Sequence, residues 1–120
     1  MNCDTEQKMN ELNNKLQTIS EEQRHNQFAI QKQEQRELAL DQLKNQGRRV
    51  FDRVLETWYK DKELGHSFLD MRQDVQHTER KLTLELENEK EALRQEKKRL
   101  EDREHELYYE RKKLSSEVKS

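Results

Sequence analysis

Proline is absent from the chain, and glycine occurs only at Gly47 and Gly65. Folds with many turns need more punctuation than this, so sandwiches, barrels and alternating α/β layers are excluded. Cysteine occurs once, at Cys3, which excludes an intrachain disulfide and gives no sign of an oxidising compartment. Apolar residues are also scarce, at 29% against the ~45–50% of a typical globular domain. That is too little for a thick core but enough for a thin hydrophobic seam. No apolar run approaches the ~18–20 residues of a membrane span, so membrane insertion is not expected. Residues Met1 to Glu6 lack the basic-then-apolar order of a signal peptide. The expected location is the cytoplasm, with export alongside a partner as the other route.

What is present is helical. Glu, Lys, Gln, Arg and Leu dominate, and all are good helix formers. High charge and low hydropathy would suit disorder, but the net charge is only −2 and the apolar residues recur at helical spacing. Met9, Leu12, Leu16 and Ile19 follow at intervals of three and four, one face of a helix. The stripe weakens through Gln23 and Asn26, then resumes at Ile30, Leu40 and Leu43. Asp4 stands where it can cap this first arm, with Gln7 three residues on. Gly47 marks a kink or a short break. After it comes the richest apolar segment, with Val50, Phe51, Val54, Leu55, Trp58 and Tyr59.

Gly65 suits the position just past a helix end, and Ser67 with Asp70 forms a capping-box pattern for a new helix. A stop beside a start near mid-chain predicts a hairpin. The expected fold is all-α: a long antiparallel helical hairpin resembling a coiled coil, in one domain over residues 1–120. Its first arm runs over about 4–64 and its second over about 67–118, with frayed ends. Folding at Gly65 brings together residues whose numbers sum to about 130, at equal rise in both arms. Leu43 then meets Leu86, Ile30 meets Leu100, Leu16 meets Leu114 and Leu12 meets Val118.

Leu86, Leu93, Leu100, Leu107 and Leu114 fall seven apart, a coiled-coil heptad. The companion positions hold Glu89, Glu96, Arg103 and Glu110, which a self-sufficient zipper would fill with apolar residues. These leucines are therefore candidates both for packing on the first arm and for contacting another helix. Phe51, Leu55, Trp58, Tyr59, Phe68 and Met71 form the second candidate partner-binding group. They span more than one stripe, so two helices leave part of the cluster uncovered, as interfaces do.

Chemistry-bearing patterns are missing. His25, His66, His77 and His105 are widely spaced, and no metal-ligand motif includes them. No phosphate-binding glycine loop or nucleophile elbow occurs. Lys97-Lys98-Arg99 and Arg111-Lys112-Lys113 are interleaved with acidic residues, unlike a phosphate-binding face. The expectation is a non-enzymatic protein with no cofactor, no metal and no nucleic-acid partner.

Gly47-Arg48-Arg49-Val50-Phe51-Asp52-Arg53-Val54-Leu55-Glu56-Thr57-Trp58, followed by Asp61-Lys62-Glu63 and Phe68-Leu69-Asp70, carries a family resemblance. With the Glu/Arg/Leu-rich second arm, it resembles the small helical-hairpin partner proteins of LXG-domain toxins in Gram-positive type VII secretion systems. The likeness covers roughly residues 26–114. It implies a targeting chaperone or adaptor that binds the helical N-terminal LXG domain of a toxin. A second small WXG-like helical protein would share the complex. The chain lacks a Trp-x-Gly at its turn, and Tyr59-x-x-x-Glu63 resembles the export signal but precedes the turn, so a partner is expected to supply that signal. The alternatives are a structural coiled coil that homodimerises through the leucine heptads and a stalk or export chaperone of a flagellar-type secretion system.

Overall fold

The computed structural model describes residues 3–58 and 60–119, with side-chain surroundings given through residue 117. It consists of two α-helices, α1 (Cys3–Trp58) and α2 (Lys62–Lys119), packed against each other as an antiparallel hairpin. Tyr59 and the side chain of Val118, both named in the sequence expectations, lie outside the described residues.

α1 is continuous through Gly47, so the chain has no helix break there. No glycine has a positive φ, so neither Gly47 nor Gly65 is a left-handed cap. Gly47 is half-buried and faces α2: a Cβ there would lie 3.9 Å from Glu79 Oε1. A helical glycine costs about 1 kcal/mol relative to alanine, and the flanking helix formers and packing outweigh that. Asp4 lies inside the first turn, where its charge and that of Glu6 suit the helix dipole.

The turn comes earlier than Gly65 and Ser67 suggest. Asp61 N–H donates to Trp58 O at 3.1 Å, and Leu64 N–H donates to Asp61 Oδ1 at 3.1 Å. Asp61 is thus the N-cap of α2, reinforced by Glu63 in the first turn. Gly65 N–H already donates to Asp61 O at 2.9 Å. Gly65 and Ser67 are helical, and the Ser67–Asp70 capping box does not form. Aspartate is a strong cap, so it begins α2 before the weaker serine pattern is reached. Asp61→Ala is therefore expected to cost about 1 kcal/mol, seen as a lower melting temperature by circular dichroism. Ser67→Ala should change stability by less than about 0.5 kcal/mol.

The earlier turn shifts the register. Paired residue numbers add to between about 119 (Asn26 with Leu93) and about 127 (Lys44 with Thr83) rather than 130. The shift is close to one heptad. It keeps the same faces inward but changes which residues meet; Leu43, beside the inward Leu40 and Lys44, is exposed instead of packing on Leu86.

The contacts group into two compact units, Met1–Ile30 with Glu91–Ser120, and Gln31–Lys90. The core of the first is Leu12, Leu16, Ile19, Leu100 and Leu107, with Leu114 packed against it. Leu100 and Leu107 are fully buried. Asn26 is buried at the edge of this core and donates from Nδ2 to Leu93 O at 3.1 Å. Outside, Arg99 bridges Glu22 at 3.5 Å and Glu96 at 2.7 Å. The Arg99 hydrogen bond holds the Glu96 carboxyl below the usual carboxylate range, as Arg94 does for Glu91. Such solvent-exposed pairs support the helix only slightly.

In the second unit the seam is more polar. Leu40 is buried, and Gln33 is 1% exposed. Gln33 Nε2 donates to Leu86 O at 3.1 Å and to Glu37 Oε1 at 2.6 Å. Lys44 Nζ donates to Thr83 Oγ1 at 2.8 Å. Arg36 pairs with Glu89, Lys90 lies 3.9 Å from Glu37, and Arg72 lies 3.9 Å from Asp52.

Candidate partner interface

α1 turns its residues inward at strict intervals of three and four. The buried or half-buried series runs Leu12, Leu16, Ile19, Gln23, Asn26, Ile30, Gln33, Glu37, Leu40, Lys44, Gly47, Phe51 and Val54. That spacing is the mark of a coiled-coil seam, and it defines which residues flank the seam on each side.

The flank in the second unit carries the candidate site. The Arg36–Glu89 ion pair crosses from one helix to the other beside the seam. One heptad further toward the turn, the equivalent positions are Leu43 and Leu82, and one heptad beyond that, Val50 and Val75. Met71 precedes Val75 by one helical turn on α2. These five side chains are 40–62% exposed. In the first unit the same heptad positions hold Lys8, Lys15, Glu22 and Ala29 on α1 and Glu96, Arg103, Glu110 and Glu117 on α2. The flank is thus built of charge, Ala29 apart, in one unit and of aliphatic groups in the other. Exposed apolar patches of this kind beside a closed seam commonly mark interaction surfaces.

The residues expected from sequence fall into three groups. Met71 belongs to the exposed patch, and Trp58 is 48% exposed at the end of α1. Phe51, Leu55, Phe68, Leu86, Leu93 and Leu114 are half-buried. Leu100 and Leu107 have no exposed surface and pack within the first unit's core, so contact with another chain through them requires the hairpin to open. Tyr59 is outside the described residues. Leu43, Val50, Val75 and Leu82 were not singled out as partner-binding. Their signal was a second seven-residue spacing, Leu43 to Val50 and Val75 to Leu82, running beside the main seam.

Among the described residues, no group of three or more His, Cys, Asp or Glu side chains could hold a metal ion. Among them too, no helix is long and apolar enough to cross a membrane.

No curated protein and no solved structure gives a significant match to the chain. A family model for proteins of unknown function, DUF3958, matches residues 7–114, and the chain belongs to that family.

Proposed function

We propose that the protein is a non-enzymatic targeting chaperone or adaptor that binds the helical N-terminal LXG domain of a secreted toxin and helps deliver it to a type VII secretion system. The observation that carries this reading is the aliphatic flank of the second unit, where Leu43, Val50, Met71, Val75 and Leu82 are exposed in one strip along the seam of a highly charged chain. A monomer with so few apolar residues gains by burying them all. Leaving five together beside a closed seam favours a helical partner that covers them. The resemblance of the Gly47–Trp58 segment to the partner proteins of LXG toxins supplies the class of partner. A second small WXG-like protein in the same complex follows from that resemblance.

Co-expression with the N-terminal domain of the toxin encoded beside it tests the reading. The two chains should co-purify as a stable complex. Two separately folded proteins that elute apart would refute it.

A further inference from the structure

The same flank is built to meet itself. On α1, Arg49 and Arg53 stand one turn apart and exposed on the outer side of Val50. On α2, Asp70 and Asp74 stand one turn apart and exposed on the outer side of Met71 and Val75. The cross-helix pairs of this unit place residues whose numbers add to between about 119 (Gln33 with Leu86) and about 127 (Lys44 with Thr83) at one level. Arg49 is therefore level with Asp74, and Arg53 with Asp70. The aliphatic strip has a basic rim along α1 and an acidic rim along α2. Glu56 and Lys81, of the opposite sign, lie beyond these four toward the two ends.

We infer that two copies of the chain associate through this strip about a two-fold axis parallel to the helices. A closed two-fold contact buries the same patch on both copies. With the axis along the helices, α1 of one copy lies over α2 of the other. Each basic rim then meets an acidic rim, and the turns of both copies point the same way. With the axis across the helices, α1 lies over α1, so arginine meets arginine and aspartate meets aspartate. Complementary charge selects the first arrangement, and like charge disfavours the second. The aliphatic side chains form the centre of a four-helix layer, of the kind that hairpins with one open flank build.

Five side chains per copy make a small contact, in the weak class below about 1,200 Å². The self-paired form is in exchange with monomer, and a helical partner with a longer matching face would displace the second copy. The inference rests on the chain's own surface and stands whatever the cargo is.

Sedimentation velocity of the full chain over a micromolar concentration series tests it. The wild-type chain should shift from monomer toward dimer as concentration rises. Reversing one rim, as R49D/R53D or D70R/D74R, should weaken association at least about tenfold, because each change converts symmetry-related attractions into repulsions. Combining all four changes should restore it, since the rims are then exchanged. All these positions are exposed, and an unchanged far-ultraviolet spectrum verifies folding. A chain that stays monomeric throughout the series overturns the inference. So does a dimer that ignores either reversal, or one that the fourfold exchange fails to restore.

Discussion

Leu107→Ala is expected to lower the stability of the protein by about 2–4 kcal/mol, read as a lower urea midpoint by circular dichroism. Leu107 has no exposed surface and shares a core with Leu12, Leu16, Ile19 and Leu100. That core is one layer thick, so no second shell of side chains can move in to fill the space. Truncation therefore removes both the transfer free energy of the side chain and its contacts across the helix pair. Tyr109→Ala, two residues on and 69% exposed, should change stability by less than about 0.5 kcal/mol. Equal effects at the two positions would show that the hairpin does not close in solution as described.

Gln33→Glu should be as damaging at neutral pH, by about 3 kcal/mol or more. The amide of Gln33 donates to Leu86 O and to Glu37 Oε1. A carboxylate there loses both donations and faces two acceptors with its charge buried. Burial and the neighbouring carboxylate both raise the pKa of the introduced acid in the folded state above its unfolded value of about 4.3. The folded state then binds the proton more tightly than the unfolded state. The penalty is present above the folded-state pKa and shrinks as pH falls toward the unfolded value. Urea midpoints of the variant and the wild type should therefore converge on acidification from pH 7. Gln33→Leu removes the polar layer without burying a charge and should leave stability unchanged or higher. Its cost falls on register, since buried amides at such positions hold coiled coils in one alignment.

Those amides show what was legible in the sequence and what was not. The all-α hairpin follows from the absence of proline, the helix-forming composition and the 3/4 spacing. The inward ladder of leucines was plain too, because a seven-residue repeat survives a change of register by one heptad. The turn was misplaced for a physical reason. Glycine and a capping box at Gly65–Asp70 are the conspicuous signals, while Asp61 is a single residue among charged neighbours. Its carboxylate nevertheless reaches Leu64 N–H and starts α2. At Asn26 the stripe looked weakened, and Gln33 lay in the gap between Ile30 and Leu40. They are buried members of the seam, because an amide can donate to a carbonyl of the facing helix and a charged side chain cannot stay there unpaired.

The candidate site was half legible. Aromatic density drew attention to Phe51, Leu55 and Phe68, which are half-buried. Met71 and Trp58 were found by the same reasoning and are exposed. The aliphatic strip was missed because Leu40 and Leu43 look like one stripe in the sequence, whereas the inward series passes through Leu40, Lys44, Gly47 and Phe51 and leaves Leu43 and Val50 beside it.

The central claim is that this strip receives the helical cargo. Isothermal titration of the toxin's LXG domain into the wild-type chain and into L43K/V50K tests it most directly. Both substituted positions are on the exposed flank, so helicity should be unchanged, and binding should weaken at least about a hundredfold, as loss of two central apolar contacts produces. An L43K/V50K chain that keeps its fold and binds the LXG domain as tightly as the wild type would contradict the account.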